Sequence, residues 1–148
     1  MKLFILIIIS LFFVFLSAAI YLKYIIRIKF FEDLIFISKY LKNSISFNKN
    51  SLNVLLNDAF KNIKSSTRKI LTNKKAAKYF LISDDITLTN SFFSDLGHGD
   101  VMFEVNTICY YDSLFLDRLE FHKTNKSNGS VYSKLIIGLG ILLVILLI

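Results

Sequence analysis

The residues with the most capacity for chemistry are carboxylates and one histidine between positions 84 and 104. Asp84 and Asp85 are adjacent, and His98 lies between two glycines, with Asp100 two positions further on. Paired carboxylates can act as a general acid and base, and a histidine beside an aspartate can bind a metal or move a proton. A metal site needs three or four ligands, however, and the only other histidine is His122. We therefore predict no enzymatic activity, no metal and no cofactor.

A helix start followed by a corner explains the same residues. Adjacent carboxylates are stabilised by the positive end of a helix dipole, and Gly97 and Gly99 suit a tight connection between two helices. The carboxylates are also a candidate docking surface for a protein partner, with the members Asp84, Asp85, Asp95, Asp100 and Glu104. The alternative is that they pair internally with the basic residues between Lys61 and Lys78.

Charge is divided sharply along the middle of the chain. Residues 30–83 carry ten Lys and Arg against three acidic residues, a net charge of +7, and residues 84–121 carry eight acidic residues against Arg118, a net charge of −7. The two halves are expected to attract each other or partners of opposite sign. The basic stretch contains no recognisable nucleic-acid module, so we predict no nucleic-acid partner and favour a solvated helix face or contact with anionic lipid headgroups.

Both ends of the chain are predicted to cross a membrane. Residues 3–22 are twenty uncharged positions, the length of a spanning helix. The alternative is a cleaved signal peptide, but the apolar run continues past the small residues 17–19, where cleavage would occur. Residues 131–148 reach about 27 Å as a helix, if Lys134 extends its ammonium group to the lipid headgroups.

The basic residues beside these segments predict the orientation. By the positive-inside rule, the side of the membrane with more Lys and Arg is cytoplasmic, which places the middle of the chain in the cytoplasm. We accordingly divide the chain into residues 1–29, a cytoplasmic domain of residues 30–126, and residues 127–148. The orienting residues are Lys23, Arg27, Lys29, Lys123, Lys126 and Lys134.

Helical periodicity dominates the middle of the chain and predicts an all-α bundle. The apolar stripe of the first segment continues to Leu41, so one long helix is expected, and Ser51 is a good N-cap for an amphipathic helix whose apolar positions recur at helical spacing. Residues 64–78 predict one or two short helices. The apolar positions of these first two helices are Tyr24, Ile25, Ile28, Phe31, Leu34, Ile35, Ile37 and Leu41, then Leu52, Leu55, Leu56, Ala59 and Phe60.

The acidic half predicts two further helices. Ser83 or Asp84 can cap the first, although residues 86–89 alone fit a strand, and Gly97 fits the left-handed position after a helix end. The second opens at Asp100, carries Val101 on its apolar stripe and extends to about residue 122. Residues 123–130 are polar and contain Asn-Gly, which predicts a turn before the membrane. The single Cys109 fits a reduced core position.

With these segments identified, the chain resembles the stage III sporulation protein AB family of endospore-forming bacteria. The most specific segments are residues 81–85 (LISDD) and 92–101 (FFSDLGHGDV), which look like the acidic helix start and the F-x-x-x-L-G-x-x-D corner of the family. Residues 132–135 (YSKL) and 138–147 (GLGILLVILL) are similar to its hydrophobic tail, and residues 51–63 to its amphipathic helix. The chain departs from the family at Glu104, where Gln is usual, and in the shorter segment 64–78.

The resemblance implies both a fold and a role. The family's cytoplasmic domain is similar to the helical F domain of the type II secretion and pilus inner-membrane platform. The implied role is that of a platform subunit in the complex linking mother cell and forespore, in the mother-cell membrane. There it would engage the stage III sporulation protein AA ATPase and other stage III sporulation membrane proteins, with no small-molecule substrate. A small pore-forming, holin-like protein is the alternative, but the charged middle of about a hundred residues argues against it.

Overall fold

The computed structural model describes residues 2–47 and 51–147, and within these ranges the protein contains helices and no strand. The prediction of an all-α fold is confirmed. Six helices follow one another along the chain: α1 (Lys2–Phe47), α2 (Leu52–Asn62), α3 (Ser65–Thr72), α4 (Lys74–Phe80), α5 (Ser83–Asp95) and α6 (Val101–Leu147).

These helices form two compact units. The first comprises the beginning of α1, up to Ile25, and the end of α6, from His122. The second comprises Ile26–Phe121 and contains α2 to α5 with the remaining parts of α1 and α6. The two long helices therefore each contribute to both units.

By length and composition, α1 and α6 can each cross a membrane. Each contains a stretch of 18 residues that is apolar enough to do so, and only 6% of that stretch is buried in α1 and 11% in α6. A core helix of a folded domain would be mostly buried. The two segments thus expose their apolar side chains, as a lipid-facing helix does.

Small and polar side chains pack the two helices of the first unit against each other. The hydroxyl of Ser17 hydrogen-bonds to the hydroxyl of Ser133 and donates to its carbonyl oxygen at 3.2 Å. Gly140 lies so close to the ring of Phe13 that a Cβ atom there would overlap it. Close approach at glycine and hydrogen bonds between serines are common devices of helix pairs in membranes.

The predicted turn at residues 123–130 is wrong, because α6 continues through it to Leu147. Contacts within the first unit explain why. The ring of Tyr24 occupies the space that a side chain at Gly129 would fill, and the Lys126 ammonium lies 5.7 Å from the ring centre of Tyr21. Packing against α1 therefore outweighs the low helix propensity of Asn-Gly.

The second unit is built around phenylalanines from three helices. Phe31 of α1, Phe92 of α5 and Phe115 of α6 are fully buried, with ring centres 6.1 Å apart for Phe31 and Phe115 and 5.1 Å apart for Phe92 and Phe115. The latter pair meets edge to face, which is the favourable aromatic geometry. The shorter helices and the residues directly after α2 and α4 cover this centre with the buried side chains Leu55, Ala59, Ile63, Ile70 and Leu81.

Several local predictions are confirmed. The first helix is unbroken, residues 52–62 form the amphipathic helix with Ser51 at its N-cap, and the segment 64–78 forms parts of two short helices. Residues 86–89 belong to helix α5 rather than to a strand. Gly97, with a φ of 90°, occupies the left-handed conformation predicted after the helix end.

The predicted cap of α5 is wrong by one or two residues. The N-cap is Ile82, and Ser83 is the first residue of the helix. Asp85 takes over the capping role, because its Oδ2 accepts a hydrogen bond from the Ile82 backbone N–H at 3.5 Å. A carboxylate at the third helical position can satisfy this N–H in place of a polar side chain at the cap.

Candidate docking surface

The acidic residues predicted for docking lie on α5 and on the first half of α6, and we call the surface of these two segments the α5–α6 face. Asp85 is not part of the exposed surface, because its side chain is fully buried. Its Oδ1 accepts hydrogen bonds from Nε of Arg118 at 2.9 Å and from Nη2 at 2.7 Å. A buried carboxylate needs such a charged partner, so this pair holds α5 against α6.

Asp84, the adjacent residue, points outward. Its side chain is 73% exposed, and its Oδ2 lies 3.6 Å from Nη2 of Arg118. It borders an open pocket of about 430 Å³ between α5 and α6. The pocket is completed by Thr87, Leu88, Ser91, Tyr110, Tyr111 and Leu114. Of the residues around this pocket Tyr110 is exposed, and tyrosines are enriched at protein interfaces, where a charge such as that of Asp84 lies mostly at the rim.

Asp95 lies at the other end of α5 and is also exposed. Its Oδ2 accepts a hydrogen bond from the hydroxyl group of the buried Tyr111. Burial raises the pKa of Tyr111 to about 12, and the hydrogen bond to Asp95 acts in the same direction. Tyr111 therefore remains a neutral donor at physiological pH and ties the end of α5 to α6.

Asp100 and Glu104 shape the start of α6. Asp100 is exposed, and its Oδ1 accepts the backbone N–H of Phe103 at 2.8 Å, the geometry of an N-cap. Glu104 is buried, and its Oε1 accepts the backbone N–H groups of Gly97 at 2.9 Å and Gly99 at 3.1 Å. Glu104 thus fixes the loop that connects the two helices.

His98 lies at the tip of this loop and is exposed, with Nε2 at 2.8 Å from the carbonyl oxygen of Ser94. Across residues 2–47 and 51–147, no three side chains of His, Cys, Asp or Glu come together as metal ligands. Cys109 is half-buried.

The structure separates the five predicted docking residues into two groups. Asp84, Asp95 and Asp100 are on the surface, whereas Asp85 and Glu104 are buried. Asp85 binds Arg118, and Glu104 accepts backbone N–H groups of the loop. The ion pairs of Asp84 and Asp85 are with Arg118, which belongs to the acidic half itself. Arg118 was not predicted as a structural residue, although a single basic residue among eight acids was a signal for it.

The predicted orienting residues differ in their surroundings. Lys29, Lys123 and Lys134 are exposed, and Lys23 is half-buried. Arg27, in the second unit, donates a hydrogen bond from Nε to the backbone carbonyl of Phe80 at 2.6 Å. Since Phe80 is the last residue of α4, this guanidinium group satisfies the negative end of that helix.

No protein-family model, no curated protein and no solved structure matches this chain.

Proposed function

We propose that the protein is a membrane platform subunit of the sporulation complex between mother cell and forespore, where it couples the stage III sporulation protein AA ATPase to the membrane machinery. The observation that carries the proposal is the combination, in one chain, of two apolar helices and a helical unit with an acidic α5–α6 face. The resemblance of residues 81–85, 92–101, 132–135 and 138–147 to the stage III sporulation protein AB family supplies the identity of the complex and of the motor.

The docking contact is expected at the pocket beside Asp84. Three features support this position: the side chain is exposed, the pocket wall includes the exposed Tyr110, and the carboxylate is not needed to satisfy a buried donor. An aromatic residue supplies contact area at an interface, and a nearby charge favours partners of opposite sign. A basic surface on the ATPase is therefore the expected complement.

Co-purification tests the proposal directly. The tagged full-length protein in detergent is expected to retain the sporulation ATPase of its host at low salt and to retain less at moderate salt, because screening weakens contacts between exposed charges. Asp84→Lys should abolish this retention. Asp117→Lys is the matched control, since it reverses another exposed acid on α6 that does not line the pocket.

Three outcomes would contradict the proposal or a part of it. If a folded, helical protein retains no ATPase at either salt concentration, the motor-coupling role is wrong. If Asp84→Lys and Asp117→Lys reduce retention equally, the contact depends on total charge and the pocket is not the docking site. Collapse of the membrane potential on expression in a non-sporulating host would favour the pore-forming alternative.

The proposed orientation has its own test. A reporter that is active only in the cytoplasm, fused after Lys49, should be active, because the middle of the chain is expected on the cytoplasmic side. A silent reporter in a protein that is still inserted would reject this topology.

A further inference from the structure

A half-open apolar groove lies in the second unit, away from the pocket beside Asp84. It has a volume of about 730 Å³ and is bordered by α2, α3, α4 and α5 with Phe30 of α1. Its apolar lining includes the half-buried side chains of Leu56, Phe60, Leu71 and Phe93. Pockets of roughly 300–1,000 Å³ hold a drug-sized ligand, so this groove has room for a few apolar side chains.

The rim of the groove is basic. Lys74 and Lys78 of α4 are among its lining residues, and both are exposed. Residues 64–83, which include α3 and α4, contain six Lys and Arg and no acidic residue. An occupant with apolar side chains flanked by carboxylates would therefore complement both the lining and the rim.

The start of α6 has these properties. Val101, Met102 and Phe103 are consecutive residues that are 59%, 75% and 53% exposed. Val101 was predicted on the core-facing stripe of this helix, but the structure turns it outward. Three adjacent exposed apolar side chains at a helix start contribute nothing to the core and are typical of a contact surface.

This tip, residues 101–103, is also held in place and acidic. Asp100 caps the helix immediately before it, and the ring of Phe103 lies against Gly99, where a Cβ atom would overlap it. Residues 94–104 contain Asp95, Asp100 and Glu104 and no Lys or Arg. Of these carboxylates Asp95 and Asp100 are exposed, so the tip presents apolar side chains beside negative charge, opposite in sign to the groove rim.

We propose that the tip of one copy inserts into the groove of a second copy, so that the protein assembles head to tail. The tip and the groove are different surfaces of the same unit, so the contact is heterologous and each copy retains one free tip and one free groove. Repetition of this contact closes a ring if the rotation between copies allows it and otherwise extends a chain. This assembly is independent of the ATPase contact, which uses the pocket beside Asp84.

Mixing two defective variants gives the decisive test. Met102→Lys places a cation at the tip, where it meets the basic rim, and the double change Lys74→Glu with Lys78→Glu reverses the rim of the groove. Each variant of the full-length protein in detergent should associate about tenfold or more weakly than wild type, as expected for loss of a central interface residue. An equimolar mixture of Met102→Lys with Ala77→Trp, which fills the groove but keeps its basic rim, should form dimers and nothing larger, because the changed tip cannot enter the filled groove.

Light scattering over a range of protein concentrations provides the measurement, with circular dichroism to confirm that each variant stays helical. Val54→Lys is the control, because Val54 is 46% exposed and lies in neither surface, and it should associate as wild type does. Ala77→Trp fills the groove without changing charge and should also weaken association. Wild type that stays monomeric, variants that associate like wild type, or a mixture that stays monomeric would overturn the proposal.

Cross-linking in native membranes gives an independent readout. Copies with Met102→Cys and copies with Ala77→Cys, both in a Cys109→Ser background, should form a disulfide when membranes from co-expressing cells are treated with copper–phenanthroline and air, which oxidise neighbouring thiols. Either copy alone should not, because the two new thiols would then be on the same type of surface. A cross-link in the single-variant samples at the same yield would show a different arrangement and reject the head-to-tail contact.

Discussion

The second unit has a basic half and an acidic half, and in each half the few residues of the opposite charge have a charged partner. The two halves differ in the chemistry of these contacts. In the basic half, residues 30–83, each of the three acids has a partner nearby: Glu32 and Asp33 near Lys64, and Asp58 with Lys61. In the acidic half, residues 84–121, Arg118 is the only basic residue and binds Asp85. The charges that remain on each surface are therefore mostly of one sign.

Two of the buried carboxylates, Asp33 and Asp85, show the difference in chemistry. Asp33 accepts a hydrogen bond from the backbone N–H of Lys64 at 3.3 Å and another from the Thr67 hydroxyl, so it caps the start of α3 from another helix. Asp85 instead receives two donors of the Arg118 guanidinium group. Neutral donors and a helix dipole supply the hydrogen bonds of Asp33, with the Lys64 ammonium group at 4.0 Å, whereas the short hydrogen bonds of Asp85 come from a full charge.

The largest expected effect follows from removing that charge. Arg118→Met leaves the Asp85 carboxylate buried without its partner, which typically costs about 3–5 kcal/mol of unfolding free energy. Denaturant titration in detergent, followed by circular dichroism, measures the loss. The double variant Asp85→Leu with Arg118→Met should recover most of the stability, because no unpaired charge remains. A double variant as unstable as the single one would mean that Arg118 acts through packing, or that Asp85 stabilises α5 mainly as the acceptor of the Ile82 backbone N–H.

A smaller effect is expected at the neutral counterpart. Asp33→Ala removes the acceptor of Lys64 N–H and of the Thr67 hydroxyl, and leaving buried donors unsatisfied costs about 1–3 kcal/mol. Asp33→Asn retains an oxygen acceptor and should cost less than the alanine variant in the same titration. If Asp33→Asn were as damaging as Arg118→Met, Asp33 would depend on its charge, and the contrast between the two halves would fail.

Tyr111 adds a test that depends on pH. Tyr111→Phe removes the hydrogen bond to Asp95 and should lower the free energy of unfolding by about 1 kcal/mol at neutral pH. The pKa of Tyr111 is raised from its ordinary value of 10 to about 12, so the folded state favours the neutral form. This contribution is complete below pH 10 and is lost as the pH rises through 12, because ionisation then costs the folded state more than the unfolded state.

Unfolding titrations at pH 9 and pH 11.5 measure this dependence. Wild type should lose more stability between the two conditions than Tyr111→Phe, since phenylalanine does not ionise and all other tyrosines are shared. Parallel losses in the two proteins would show that Tyr111 is not responsible.

The fold was predictable where the sequence pattern is long and regular. The stripe through Phe31 and Leu41 predicted one continuous α1, and Gly97 marked the corner before α6. The polar segment 123–130 was not predictable as a helix, because the local signal favours a turn. The contacts of Gly129 with Tyr24 and of Lys126 with Tyr21 that override it connect residues about a hundred positions apart.

The candidate site was predictable in composition but not in exposure. Adjacent carboxylates such as Asp84 and Asp85 look equivalent in a sequence, and the one that is buried binds Arg118, 33 residues away from it. Glu104 likewise looked like a surface acid, and its burial depends on the loop whose N–H groups it accepts. Long-range partners therefore decide which acids are structural.

The smallest expected effect on stability is at Asp84. The adjacent Asp85 provides the comparison, because the same substitution can be made there one residue further along. Asp84→Asn removes a largely exposed carboxylate, and loss of such a surface ion pair typically costs about 0–1 kcal/mol. Asp85→Asn makes the same chemical change one residue later, but it deprives Arg118 of a buried partner and should cost several times more. Retention of the ATPase should show the opposite order, because only Asp84 is accessible to a partner. If the two variants lose stability equally, Asp84 and Asp85 act together on Arg118, and the docking contact must then depend on other residues of the α5–α6 face.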